Sequence, residues 1–103
     1  MAYKITWSAE SKITYLAILE YLEREWTEKE IIHFVELVDN KLNLLITQPA
    51  IGWVYNKRHK IRKTLVHKRV SLVYHVKTKE KEIVLLSFWD DRRNPDELRF
   101  NIK

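Results

Sequence analysis

The thirteen residues from Lys57 to Arg69 hold seven Lys or Arg (Lys57, Arg58, Lys60, Arg62, Lys63, Lys68, Arg69), two His (His59, His67) and no acid. Side chains of this kind hold anions. They neutralise phosphates or the carboxylates of an acidic peptide, and a fixed cation also stabilises charge developing on a phosphoryl oxygen. On a strand Lys60, Arg62 and Thr64 share one face, so part of the cluster is expected to converge on a single surface. A merely solvated sheet face would intersperse acids with these bases.

Other chemistries find less support. The four His show no H-x-x-x-H or H-E-x-x-H spacing, and with no Cys there are no thiolates, disulfides or Cys-based zinc ligands. The single Gly rules out a Gly-rich phosphate loop, and no G-x-S-x-G is present. Asp90 and Asp91 stand beside Arg92 and Arg93, a pattern of local ion pairs and caps rather than of an acid–base pair. Neither a metal, a cofactor nor a small-molecule substrate is expected.

The chain of 103 residues is long enough for one two-layer domain. Charge is unevenly spread. Residues 1–48 carry five Lys/Arg against eight Asp/Glu, a net of −3; residues 49–103 carry fourteen against six, a net of +8, and together these make the overall +5. An acidic partner, nucleic acid or protein, is the natural complement to the second half. No run of about 18 apolar residues exists to span a membrane, and no signal-like apolar core follows the first residues. A cytoplasmic protein with no membrane contact is expected.

The elements that must position the cations can be read in order. Tyr3, Ile5 and Trp7 alternate with Lys4 and Thr6 as in a half-buried strand. Ser8 stands as an N-cap for a helix from Ala9 to about Glu25. Ile13, Leu16 and Ala17 fall on one side and Tyr15, Leu19, Leu22 and Trp26 on a neighbouring one, so this helix is expected to touch both a sheet and a second helix. Thr27 and Glu30 form a capping box. The next helix carries the stripe Ile31, Phe34, Val35, Val38, Leu42, Leu45 and ends near Gln48, because Pro49 cannot continue it. The two helices predict an antiparallel hairpin.

Pro49 to His59 reads as a loop. In it Gly52 is expected to supply a special backbone angle, with Trp53 and Tyr55 folding over the core edge rather than stacking on bases. A three-stranded meander follows: Ile61–Val66, Val70–Val76 and Ile83–Trp89. The last strand is apolar on both faces, with Ile83, Leu85 and Trp89 on one side and Val84, Leu86 and Phe88 on the other, so it belongs inside the sheet. Asn94, Pro95, Asp96 and Glu97 predict a short C-terminal helix to about Phe100. The fold class is α+β, with a two-helix hairpin on a small antiparallel sheet in the order β-α-α-β-β-β.

The ordered set of these words resembles the RelE/ParE superfamily of toxins from type II toxin–antitoxin systems. The words are Trp7-Ser8, the helix closing at Pro49 with Gly52 three residues on, the basic strand, Leu72-Val73-Tyr74-His75-Val76, Ile83 to Phe88, and Asp91-Arg92-Arg93-Asn94-Pro95. The resemblance implies a growth-inhibiting toxin with no small-molecule substrate, neutralised by a cognate antitoxin, or else a non-catalytic, degenerate relative that only binds that antitoxin. RelE-like members cut mRNA on the ribosome without a metal, and Lys60, Arg62 and Arg92 match basic positions of that site. The Arg expected before Leu-Val-Tyr is Ser71 here, and the chain ends without the expected Tyr or His. ParE-like members poison DNA gyrase instead, and the sequence resembles these better. The implied target- and antitoxin-binding surface comprises Lys57, Arg58, Lys60, Arg62, Arg69, Phe88, Trp89, Arg92 and Arg93.

Overall fold

The computed structural model describes residues 2–91. The elements run β1 (Lys4–Trp7), α1 (Ala9–Glu25), α2 (Glu28–Thr47), β2 (Trp53–Asn56), β3 (Ile61–His67), β4 (Val70–Lys77) and β5 (Glu82–Asp90). Among the described residues the strands form one five-stranded sheet in the order β1-β5-β4-β3-β2. The α+β layout is as the sequence predicts, with two differences. β1 pairs parallel with β5, so the sheet is mixed rather than antiparallel. The segment read as a loop contributes β2, an antiparallel partner of β3. Its β-forming residues, Trp53, Val54 and Tyr55, were too few between Gly52 and the Lys57–Lys60 turn to register as a strand. The predicted helix from Pro95 lies outside the described residues.

Both helix starts are set by their caps. Ser8 Oγ accepts from the Ser11 N–H at 3.0 Å and Thr27 Oγ1 from the Glu30 N–H at 3.3 Å. α2 stops at Thr47 with Gln48 as its C-cap, immediately before Pro49. It buries Phe34, Val38 and Leu45, as its stripe predicts, although Val35 is 39% exposed. α1 touches both the sheet and α2, as expected, with Tyr15, Leu19, Leu22 and Trp26 packed on the core. The other expected side is corrected: Ile13 and Leu16 are 62% and 57% exposed, and Ser11 and Ile18 face inward instead. One stripe of the helix is thus covered. Here Tyr15 fixes which one, because its ring lies 5.0–5.3 Å from those of Phe88 and Trp7.

The core is centred on β4 and β5, where Leu72, Tyr74, Ile83 and Leu85 are fully buried. β5 is internal, as its two apolar faces require. Its alternation breaks at a bulge: Tyr74 pairs with Leu85 and Val73 with Ser87, leaving Leu86 as the extra residue. Phe88 therefore joins Ile83 and Leu85 under the helices instead of facing away with Val84 and Leu86. At the sheet's other end Thr6 Oγ1 donates to Glu82 at 2.6 Å, tying β1 to β5 and holding the Glu82 carboxyl below its usual range. No described helix is long and apolar enough to cross a membrane.

Candidate functional site

The cations of 57–69 do not converge on one face. The strand separates them into two ends and a middle, and β3 alone puts roughly 20 Å between those ends at about 3.3 Å per residue. At the first end Lys57, Arg58 and Lys60 stand on the turn between β2 and β3. The His59 N–H donates to Asn56 Oδ1 at 3.0 Å there, and Lys60 takes a left-handed backbone with φ 55°. The hairpin pairing of β3 with β4 sets Ile61 opposite His75. That brings His75, Lys77 and Lys79 beside Arg58, His59 and Lys60 around an open cup of about 330 Å³. Sequence reasoning missed these three partners, although counting back from the Lys68–Arg69 turn would have found them.

The middle cations fasten the fold. Arg62 sends Nη1 to the carbonyls of Gly52 (2.6 Å) and Ala50 (3.2 Å). Tyr74, fully buried, accepts from the Gly52 N–H at 3.0 Å and donates to the Pro49 carbonyl at 2.7 Å. Burial pushes its phenol pKa up, against the pull of the Gly52 bond and of Arg62. Gly52 has no positive φ, contrary to expectation. It is Gly because a Cβ would stand 2.7 Å from both the Lys63 carbonyl oxygen and Tyr74 Oη.

On the other side of β3, Lys63 Nζ lies 3.2 Å from Asp91 Oδ1, and Asp91 Oδ2 accepts from Ser71 Oγ at 2.7 Å. The local ion pair foreseen for Asp91 thus comes from a strand two positions away in the sheet. Ser71 is 1% exposed, so an Arg at this position would have to share the space of Lys63 and Asp91. Phe88 and Trp89, expected on the binding surface, are 2% and 5% exposed. The bulge at Leu86 turns Phe88 into the core, where it stacks on Trp7. Arg92 and Arg93 lie outside the described residues. Trp53 and Tyr55 do not fold over the core edge; they remain 53% and 38% exposed on the edge strand β2.

At the far end Lys68 and Arg69 stand beside a different surface. The C-terminal half of α1 and the β3–β4 corner enclose an apolar groove of about 220 Å³, walled by Ile18, Tyr21, Leu22, Trp26, Val70 and Phe88. Thr14, Ala17, His67, Arg69 and Asp90 also line it. The His67 ring lies 4.9 Å from Trp26 and 6.0 Å from Phe34. Burial lowers its pKa, helped by Lys68, His33 and Arg69 and opposed by Glu30. The α1 residues of this groove carried a sequence signal, the broad apolar arc, but its partner on the sheet could be known only from the fold.

No family model matches the sequence, and no curated protein matches it. Eleven chains of solved structures do match. One belongs to the structure described as the chromosomal ParDE TA system from P. aeruginosa, with a TM-score of 0.69 and 18% identity over 86% of this chain and 96% of that one. The likeness is one of fold and extends across nearly all of both chains.

Proposed function

We propose that this chain is the toxin of a type II toxin–antitoxin pair, of the ParE-like kind, acting in the cytoplasm on DNA gyrase and neutralised by a cognate antitoxin. The observation that carries the reading is a fold shared with a chain of a ParDE system over 86% of this sequence, together with the ordered motifs from Trp7-Ser8 to Asn94-Pro95. The apolar groove at the end of α1 and the exposed Ile13 and Leu16 give the antitoxin a surface to cover. Gyrase is favoured over mRNA by Ser71 and Arg62. Ser71 holds Asp91 where the nuclease reading needs a cation, and Arg62 is bound to two loop carbonyls. Metal-free phosphoryl chemistry depends on cations aimed at the reacting phosphate.

Purified protein added to gyrase and supercoiled DNA is expected to accumulate cleaved, enzyme-bound DNA, with relief on adding the antitoxin. Unchanged supercoiling at protein on the order of micromolar would sink the gyrase reading. Ribosome-dependent, codon-phased mRNA cuts that vanish in Arg62→Ala would put the nuclease in its place.

A further inference from the structure

We propose that the cup between the β2–β3 turn and the β4–β5 hairpin is a phosphate site for single-stranded nucleic acid, with Trp53 and Tyr55 as the stacking surface leading into it. The inference does not depend on the gyrase reading. The cup gathers Arg58, Lys60, Lys77 and Lys79 with His59 and His75, and Glu80 is the one acid among the described residues that line it. Of these cations only Lys77 has a carboxylate within ion-pair distance among the described residues, Glu82 at 3.8 Å. The remaining positive charge faces solvent from two separate stretches of chain, 58–60 and 75–80, an arrangement that raises the local concentration of anions.

Lys60 supplies a second observation. Its φ of 55° is a conformation in which Gly or Asn would be more relaxed. The other left-handed residue, Lys81, has a visible use for its side chain, since its ammonium lies 5.4 Å from the centre of the Tyr3 ring. Lys60 has no carboxylate or ring partner among the described residues, and it lines both the cup and the neighbouring cavity beside Arg62. A strained cation without such a partner among the described residues points to an external one.

The neighbouring chemistry selects the class of ligand. Among the described residues Val76 is the only aliphatic side chain lining the cup, so these offer little anchorage to a peptide. Trp53 and Tyr55, two residues apart on the edge strand that runs into the turn, give bases an aromatic face to stack on. Protons are linked to occupancy. His75 faces Lys77, His59 and Lys60, opposed by Glu80, and lies near Glu82; burial and the cations keep it below its usual pKa. An anion in the cup raises that pKa, so binding takes up protons and tightens as pH falls.

A fluorescein-labelled oligo-dT or oligo-U strand of about a dozen nucleotides is the probe, read by anisotropy at low salt. Binding is expected to strengthen about tenfold from pH about 8 to about 5.5. Its log–log salt slope should be about −3, at roughly 0.7 per phosphate. Lys60→Gly is expected to weaken binding and flatten that slope by about 0.7 while raising the melting temperature, which separates lost contact from lost fold. Lys79→Gln should weaken binding similarly, and Trp53→Ala should weaken oligonucleotide binding while leaving tripolyphosphate binding unchanged. The proposal is overturned if no strand binds, if Lys60→Gly and Lys79→Gln bind like the parent, or if binding is independent of pH. It is equally overturned if a polyglutamate peptide of equal charge competes as well as the strand, which would make the cup an acidic-peptide site, or if duplex DNA binds as tightly.

Discussion

At one end of β3, Arg58 and Lys60 border an open, polar cup; at the other, Lys68 and Arg69 flank a groove walled by Trp26, Tyr21 and Phe88. The two ends have nearly the same basic composition, with one His each from the cluster, and they invite different partners. At the cup the cations meet other cations, His75, Lys77 and Lys79, brought by the returning strand. At the groove they meet the apolar end of a helix. Charge alone therefore says that an anion or acidic surface is wanted, while the element packed alongside says whether it must bring apolar area as well. Arg62 and Lys63 between them face opposite sides of the strand and hold a loop and a carboxylate.

The comparison requires the two ends to be held at a fixed separation by the sheet, and the largest expected effect comes from loosening it. Leu85 is fully buried on the internal strand β5. Leu85→Ala should cost about 2–5 kcal/mol, from the lost transfer energy and the cavity left behind. A denaturant melt checks it; a loss near zero would mean that β5 does not carry the core. Both ends should weaken together in this variant, since both are mounted on the same sheet.

Gly52→Ala should instead act on one end. Its Cβ would stand 2.7 Å from backbone and from the Tyr74 hydroxyl, so the 49–52 loop must shift and strain both its Tyr74 bonds and its Arg62 bonds. Overpacking of this kind costs about 1–3 kcal/mol. Amide chemical shifts are expected to move around Arg62 and Lys60 and to stay in place around His67 and Trp26. Equal movement at both ends would show that the two are coupled and that the division drawn between them is wrong.

Much of this was legible in the sequence because it depends on neighbours along the chain. Ser8, Thr27 and Pro49 set the helix ends through local hydrogen bonds, and the strands of the meander follow from alternation. Apart from the short strand β2, the departures concern partners distant in sequence. For Gly52 the sequence suggests a backbone angle, because nothing local discloses that the Lys63 carbonyl and Tyr74 hydroxyl stand where a Cβ would go. The Leu86 bulge, set by pairing with β4, moved Phe88 from a supposed surface into the core. Ser71 stands where the resemblance expects an Arg, and only the fold adds the Asp91 carboxylate that its hydroxyl serves. The cup was half visible: its β2–β3 turn is a run of cations, but its other wall lies sixteen to twenty residues further on, from His75 to Lys79.

The smallest expected effect separates the ends by proton linkage. Each holds a His kept below its usual pKa: His75 in the cup and His67 at the groove, burial being the larger cause in both and nearby cations the next. A base whose folded pKa is depressed binds more protons when unfolded. Stability should therefore rise with pH across the window below the ordinary value of about 6.5, and fall as acid charges the two rings. Glu82 adds to the acid loss lower down, because its carboxyl is held below its usual range mainly by the Thr6 hydroxyl. Melting curves between pH about 5 and about 8 should flatten in part with His67→Gln and in part with His75→Gln. Tripolyphosphate distinguishes the two contributions. Bound in the cup, it should offset the acid loss contributed by His75 and leave that of His67 unchanged, since His67 sits among Trp26, Phe34 and the groove wall at the opposite end of the strand. If the anion offsets both losses equally, the basic ends of β3 act as one surface, and the distinction between a nucleic-acid end and an apolar, protein-binding end is lost.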